Sequence, residues 1–211
     1  MTARALRAVT RREFWQRLVK LNLGLMAVGL GIAVMLQANI GLGPWTVFHQ
    51  GVSVVTGISI GRAMQGVGLL VLVLSMALTR VHPGLGTALN MLLVGPWVDL
   101  FGSLPLMPHP HAYVLGAAQF VVGLCLQGIG TGLYITARMG AGPRDGLVLG
   151  LARLIRVSVR ATRTGLELLV LVSGWLMGGQ VGLGTVLFAL GIGPLMQFFL
   201  RVFEVRSRPA P

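Results

Sequence analysis

The feature that most constrains this chain is a series of long apolar runs with few charged residues. Several of these runs approach the ~20 residues with which an α-helix crosses a ~30 Å hydrocarbon layer, and six of them are interpreted as spans. They follow Lys20 as far as Ile40 and then cover Met64 to Thr79, Leu85 to Phe101, Tyr113 to Ala137, Thr164 to Met177 and Leu183 to Val202. The pattern predicts a polytopic membrane protein, because a water-soluble fold has no use for so many apolar segments of this length.

The composition excludes a soluble domain. Of the 211 residues, 55% are apolar and 10% are charged, and the 31 glycines bring apolar plus glycine to about 70%, against roughly 45–50% in soluble proteins. The net charge of +12 would suggest nucleic acid in a soluble protein. Beside membrane spans it indicates contact with the lipid bilayer on its anionic cytoplasmic side, and no nucleic-acid partner is expected.

The N-terminal region has the basic-then-apolar shape of a secretory signal. We interpret it as a basic cytoplasmic segment, residues 1–20, followed by a first span that stays in the mature protein. A signal core has roughly 7 to 15 apolar residues and a small-x-small cleavage site. The run that ends in Gln37-Ala38-Asn39 is longer than such a core and has no site of that kind.

Two shorter segments each begin with a proline that follows a glycine. They are Pro44 to Thr56 and Pro143 to Ser158, preceded by Gly41-Leu42-Gly43 and Gly140-Ala141-Gly142. Proline after glycine is typical of a helix that starts at its first residue, and the free N–H groups of such a start form an electropositive end. Tight turns alone account for the same residues, so a role in binding is one of two interpretations.

The two halves of the chain share a register. At an offset of 99, Gly24, Gly29 and Gly31 fall on Gly123, Gly128 and Gly130, and both Gly-x-Gly-Pro motifs coincide; at an offset of 98, Gly84-Leu85-Gly86-Thr87 falls on Gly182-Leu183-Gly184-Thr185. This predicts an internal duplication. We expect one membrane domain with repeat 1 at 21–103, repeat 2 at 112–203 and a cytoplasmic tail at 204–211.

The number of spans decides how the repeats are related. If the short segments do not cross the membrane, each repeat has three spans and the second repeat is inverted. With six spans, sixteen of the seventeen Lys and Arg residues lie on the cytoplasmic side; with eight spans and parallel repeats, fourteen do, and both satisfy the positive-inside rule. We favour an all-α bundle of six spans and two short helices, with both termini cytoplasmic, and keep eight spans as the alternative.

Several motifs resemble a known family of bacterial membrane proteins. The segments are GLGPWTVFHQGVS from Gly41, TGISIGR from Thr56, GLGTALNMLLVGPWVDLF from Gly84, GAGPRDGL from Gly140 and RTGLELLVLVSGWLMGGQVGLGTVLFALGIGP from Arg163. They resemble the YczE/YyaS/YitT family, and its YczE-like branch in particular, over nearly the whole chain. The resemblance implies a multi-span protein of the bacterial inner membrane and implies no particular substrate or reaction.

Polar residues inside the runs are candidates for substrate binding or a transport path, because a charge at mid-membrane depth costs about 2.5 kcal/mol or more. Glu167 lies one helical turn after Arg163. It is predicted either to form a local ion pair or to face a cavity between the halves, where it takes a proton or holds a cation. Asn90 and Asp99 lie in one run. The alternative for Asn90 is a hydrogen bond to a neighbouring helix, and the alternative for Asp99 is solvation at the end of its helix.

Four further candidates lie in the short segments. Arg144 and Asp145 follow the second Gly-Pro start, where an acidic residue in the first turn stabilises a helix by about 0.3–1 kcal/mol. His49 and Gln50 lie in the first short segment, where packing or exposure at the interface also explains them.

Enzyme chemistry is not expected. The sequence has no HExxH, GxSxG or P-loop motif, and its one lysine precedes the first span. Cys125 is the only cysteine, so an internal disulfide is excluded. His109 and His111 have no acidic or cysteine ligand near them in the sequence, and we predict neither a metal site nor a cofactor.

Two functional classes remain. The first is a small secondary transporter or permease for an unknown small solute or ion, with a site between the two repeats. The second is a non-transporting scaffold or regulator that binds a protein partner through its Arg-rich cytoplasmic face. The duplication and the intramembrane polar residues favour the first class, whereas the scarcity of buried charge favours the second.

Overall fold

The described residues form eight α-helices and contain no other regular structure. The structure is a computed structural model that describes residues 10–79, 83–105, 110, 112–140 and 142–205. The helices are α1 (Arg11–Ala38), α2 (Pro44–Thr56), α3 (Ile60–Thr79), α4 (Leu85–Gly102), α5 (Tyr113–Thr136), α6 (Pro143–Ile155), α7 (Val159–Leu176) and α8 (Leu183–Val205). The all-α prediction is confirmed for this part of the chain. Arg4, Arg7, His109, His111 and the tail 206–211 lie outside it.

Five described helices, α1, α3, α4, α5 and α8, are long and apolar enough to cross a membrane. Helix α7 has 18 residues but carries three ionisable side chains, Arg160, Arg163 and Glu167. Helices α2 and α6 have 13 residues each, which corresponds to about 20 Å and is shorter than the hydrocarbon layer. The chain is therefore an integral membrane protein with several helices of spanning length.

Three helices begin earlier than hydropathy predicts, because polar caps precede the apolar runs. Thr10 and Glu13 form a capping box at the start of α1, so residues 11–20 of the predicted basic segment are already helical. The hydroxyl of Ser59 accepts a hydrogen bond from the N–H of Arg62 at 3.3 Å, and Ser158 accepts one from Ala161 at 3.2 Å. A cap satisfies N–H groups that would otherwise lack a partner.

The boundary between α6 and α7 corrects one prediction. The second short segment ends at Ile155 rather than at Ser158, because Arg156 adopts a left-handed conformation with φ of 55°. Ser158 then caps a new helix that includes Arg160. Arg160 therefore belongs to α7.

The centre of the bundle is the antiparallel pair of α1 and α5, whose backbones approach closely at glycines. A Cβ atom at Gly31 would lie 2.6 Å from the carbonyl oxygen of Gly123, and one at Gly24 would lie 2.8 Å from that of Gly130. Larger side chains at these positions would push the helices apart, so the glycines are what permits this packing.

The other helices pack beside this pair or against one another. Helix α4 packs against α1, and α8 packs against α5. Helix α2 packs against α7, and α6 packs against α3, so each short helix contacts a long helix from the other half of the chain. Large apolar side chains such as Leu169 and Leu190 are exposed on the outside of the bundle, as expected for surfaces that face lipid.

Candidate functional site

The connections that precede α2 and α6 have the same backbone conformation. Gly41 and Gly140 have positive φ angles of 109° and 138°, which glycine adopts without strain. Gly43 and Gly142 are the N-caps, and proline occupies the first turn of each helix. Because glycine has no side chain, neither N-cap makes a side-chain hydrogen bond. The prediction that two helices start at Pro44 and Pro143 is confirmed.

Each of these connections is hydrogen-bonded to a helix from the other half of the chain. The N–H of Gly184, in the first turn of α8, donates to the carbonyl of Ile40 at 2.8 Å. The N–H of Gly86, in the first turn of α4, donates to the carbonyl of Met139 at 2.8 Å. The positions of α2 and α6 are thereby tied to helices that are distant in the sequence.

Arg144 and Trp45 bring the starts of the two short helices together. The guanidinium carbon of Arg144 lies 4.3 Å from the centre of the Trp45 ring, which is cation–π geometry. Trp45 follows Pro44, and Arg144 follows Pro143, so the two residues occupy corresponding positions after the two Gly-Pro motifs. This contact is a junction between the halves. Asp145 lies in the first turn of α6, as predicted.

His49 is buried beside this junction. The side chain is 2% exposed, and its ring centre lies 6.3 Å from that of Trp45 and 6.4 Å from that of Phe48. Its Nδ1 has no hydrogen-bond partner among the described residues. Burial, and after it the positive charge of Arg144, lower the pKa of His49 well below its usual value of 6.5. The imidazole is therefore neutral at neutral pH.

A cavity of about 320 Å³ lies among α1, α2, α3 and α4, at the lower end of the ~300–1,000 Å³ range of small-molecule sites. Its polar lining consists of the carboxylate of Asp99 and the amides of Gln37 and Gln50. The other described lining residues are Ala33, Leu36, Ile60, Val98 and Gly102. All of these residues belong to the first half of the chain, so this cavity is not between the halves, where a site was expected.

Asp99 connects the end of α4 to the start of α3. Its Oδ2 accepts a hydrogen bond from the hydroxyl of Ser59 at 2.6 Å, and its Oδ1 accepts one from the N–H of Gly61 at 2.8 Å. Gly61 faces Gly95 of α4, with no room for a side chain on either. The carboxylate is therefore fixed by hydrogen bonds in a position where it also lines the cavity.

Gln180, from the second half of the chain, makes two hydrogen bonds next to the cavity. Its N–H donates to Oε1 of Gln50 at 2.7 Å, and its side-chain Nε2 donates to Oδ1 of Asn39 at 2.6 Å. Another lining amide, Gln37, donates from its Nε2 to the carbonyl of Gly102 at 3.4 Å. Gln180 thereby joins the α7–α8 connection to α2 and to the end of α1.

Sequence reasoning did not select Gln37, Asn39 or Gln180. The sequence pattern that marks them is weak, because each is an amide at the end of an apolar run or in the connection that follows it. Amides at helix ends are usually solvated, so the sequence alone did not distinguish these three.

Two predicted candidates, Glu167 and Asn90, belong neither to the junction of Arg144 with Trp45 nor to the cavity beside Asp99. Oε1 of Glu167 lies 3.2 Å from Nε of Arg163, one turn earlier on α7, and both side chains are well exposed. Asn90 is half-buried in α4. Neither residue lines the cavity. The described residues also contain no group of three or more His, Cys, Asp or Glu side chains that could hold a metal ion.

The chain is similar to a family of unknown function and to relatives of which one is named as a membrane protein. Residues 15–201 match a family model described as "Family of unknown function (DUF6198)". The chain is 36% identical over 178 residues to an "Uncharacterized protein" of Haemophilus influenzae, covering 84% of this chain and 80% of that one. It is 33% identical to the "Uncharacterized membrane protein YczE" of Bacillus subtilis, covering 84% and 82%.

A more distant relative is the "Uncharacterized protein YyaS" of Bacillus subtilis, 26% identical over 184 residues that cover 87% of this chain and 92% of that one. No solved structure matches the chain. The predicted resemblance to YczE-like proteins is confirmed.

Proposed function

This chain belongs to the DUF6198 family, and we propose that within the membrane it acts as a small secondary transporter or permease for a small solute. The observation that carries the proposal is the cavity lined by Asp99, Gln37 and Gln50. A carboxylate and two amides in a bundle of apolar helices are costly to maintain. A solute that binds them in a transport cycle gives a reason for their presence.

Asp99 has the capacity to bind such a solute. A carboxylate accepts up to about four hydrogen bonds, and Ser59 and Gly61 account for two. The remaining lone pairs suit a cation or a strong hydrogen-bond donor such as a protonated amine. Gln37 and Gln50 add amide groups that hydrogen-bond to neutral parts of a solute.

We also propose that the chain is an internal duplication with inverted halves, six spans and two short helices that do not cross. Corresponding residues make corresponding contacts, which supports this. The hydrogen bond from Gly184 to Ile40 has its counterpart in that from Gly86 to Met139. The left-handed backbone of Asn39 likewise has its counterpart at Arg138. Inverted repeats are a common basis of alternating access in transporters.

The orientation follows from the basic residues. With six spans and a cytoplasmic N-terminus, sixteen of the seventeen Lys and Arg residues face the cytoplasm, which is the sense of the positive-inside rule. The family resemblance supports the inner membrane of a bacterium. In this orientation the cavity beside Asp99 lies towards the extracytoplasmic side, because α4 ends there.

Gln180 is the group that we expect to control access to the cavity. It comes from the second half and bonds to Gln50, which lines the cavity, and to Asn39. Movement of the α7–α8 connection away from α2 would break both hydrogen bonds. Such a movement of one half against the other is the kind of step that alternating access requires.

A ligand screen tests the proposal. Purified protein is heated with a panel of amines and alkali-metal cations, because a ligand that binds the folded state raises the unfolding temperature. We expect at least one compound to stabilise the wild type, and we expect Asp99→Asn to lose that shift. Glu204→Gln removes an exposed carboxylate that is outside the cavity and should retain it.

Flux measurements complete the test. The stabilising compound should enter proteoliposomes that contain the wild type or Glu204→Gln. Its rate of entry should be lower in proteoliposomes that contain Asp99→Asn. The proposal fails if no compound stabilises the wild type, or if a stabilising compound binds Asp99→Asn equally well.

A specific observation also keeps the scaffold function as a second candidate. Arg153, Arg156 and Arg160 are all exposed, next to the exposed apolar side chains of Leu154 and Ile155. This mixed surface suits a protein partner with acidic residues. A single protein that co-purifies with the wild type and is lost when the three arginines are changed to glutamine would favour this function. Neither proposal gives the chain an enzymatic role.

A further inference from the structure

An open groove runs along the outer face of the first half of α1. It has a volume of about 600 Å³ and is separate from the cavity beside Asp99. One wall is Leu133 of α5, and the other consists of the α1 residues Arg12, Trp15, Gln16, Val19, Lys20 and Leu23. No other described helix contributes a lining residue to this face.

The groove is polar at one end and apolar at the other. Arg12 and Gln16 lie at its start, nearest the N-terminus of α1, and Val19 and Leu23 lie further along the helix with about half of each side chain exposed. Trp15 is 53% exposed between them. Tryptophan is enriched where a membrane protein meets the headgroup layer, so this order of side chains is the order of a lipid from headgroup to acyl chain.

The charge around the groove is positive. Arg12 and Lys20 lie two helical turns apart on the same face, and Arg138 at the end of α5 is near enough for its positive charge to act on Lys20. The acidic group nearest in sequence, Glu13, accepts a hydrogen bond from the N–H of Thr10 at 3.0 Å in the capping box. Two cationic side chains that line an apolar groove, with Arg138 near one of them, favour an anionic headgroup.

We propose that this groove binds one anionic phospholipid. The phosphate lies between Arg12 and Lys20, with Gln16 as a further hydrogen-bond donor. One acyl chain lies along Val19, Leu23 and Leu133. The long Lys20 side chain reaches from the apolar stretch to the headgroup level, as lysines near helix ends commonly do. In the proposed orientation the lipid comes from the cytoplasmic leaflet.

Native mass spectrometry tests the selectivity, with dioleoylphosphatidylglycerol and dioleoylphosphatidylcholine as the two probes. The wild type should retain phosphatidylglycerol in preference to phosphatidylcholine. The double variant Arg12→Gln/Lys20→Gln should bind phosphatidylglycerol about tenfold more weakly or worse, since each basic residue near an anionic surface contributes appreciably to binding. The matched control is Arg11→Gln/Arg17→Gln, which removes the same charge from the same helix at residues that do not line the groove.

The outcomes separate the proposal from its alternatives. Equal losses in the two double variants would show that only overall charge matters and would overturn the site. Equal retention of both lipids by the wild type would overturn it as well. A stable dimer that protects Trp15 in detergent would show that a second copy covers the groove.

A second measurement does not depend on the charge variants. Brominated phosphatidylglycerol in mixed vesicles should quench tryptophan fluorescence more strongly than brominated phosphatidylcholine at the same mole fraction. Trp15→Phe should abolish that difference, whereas Trp175→Phe, at an exposed tryptophan on α7, should preserve it. A difference that survives Trp15→Phe would contradict the proposed position. Because the groove is outside the bundle, either result leaves the proposed transport function to its own test.

Discussion

The backbone N–H of Gly184 donates a hydrogen bond of 2.8 Å to the carbonyl of Ile40. This bond joins the start of α8 to the connection that precedes α2. Gly86 and Met139 form the corresponding hydrogen bond between the start of α4 and the connection that precedes α6. Each short helix is therefore positioned in part by the opposite half of the chain.

The contact of α1 with α5 predicts a strong effect for one methyl group. Gly31→Ala places a Cβ 2.6 Å from the carbonyl oxygen of Gly123 and 2.7 Å from the N of Gln127, so the two backbones must separate. We expect a loss of about 1–3 kcal/mol, the usual cost of overpacking a core, measured by reversible unfolding in mixed micelles. Gly66→Ala is the control, because nothing lies within 4 Å of its Cβ position. Equal stability of the two variants would contradict the close packing.

The hydrogen bonds of Gln180 predict controlled access to the cavity beside Asp99. In a Cys125→Ser background, a cysteine introduced at Leu36, which lines the cavity, should react slowly with a polar thiol reagent. Gln180→Ala removes the side-chain bond to Asn39 and should increase the reaction rate. Gln65→Ala removes an amide that bonds to the carbonyl of Leu92 at 2.8 Å and should leave the rate unchanged. Identical rates in all three proteins would rule out a gate at Gln180.

Cysteine labelling decides between six and eight spans. Ser103→Cys and Val181→Cys, in a Cys125→Ser background, place thiols in the exposed connections after α4 and α7. With six spans, both thiols react with a membrane-impermeant reagent added to intact cells. With eight spans, Val181→Cys still reacts from outside but Ser103→Cys is protected, so Val181→Cys serves as the positive control.

The buried imidazole of His49 predicts a loss of stability in acid. Its pKa is lowered in the folded protein, so below pH 6.5 the unfolded chain binds a proton that the folded chain does not, and stability falls as the pH falls. The unfolding temperature of the wild type should therefore drop more between pH 7.5 and pH 5.5 than that of His49→Phe. Equal drops would mean that His49 is protonated in the folded protein.

Much of the fold could be predicted because it depends on neighbouring residues. Apolar runs predicted the long helices, and the Gly-Pro pairs at Pro44 and Pro143 predicted where α2 and α6 begin. The early starts of α3 and α7 were missed, because Ser59 and Ser158 lie outside the apolar runs. A capping hydroxyl adds no hydropathy, so the hydropathy pattern does not contain this signal.

The candidate site was only partly predictable. Gln50 and Asp99 were selected as polar residues in an apolar chain, but nothing local indicated that they line one cavity. Glu167 was selected for the same reason and pairs instead with Arg163 on its own helix. Hydropathy treats these residues alike, because it records how costly a side chain is in lipid and not which partner it meets.

The sequence by itself determined that this chain is helical, that it belongs in a membrane and where its two short helices start. Those properties follow from transfer energies and backbone preferences of a few consecutive residues. Only the tertiary structure decided that Asp99 meets Ser59, 40 residues away, and that Gln180 meets Gln50, 130 residues away. Such contacts depend on how the helices cross and rotate, which is set by packing summed over the whole bundle.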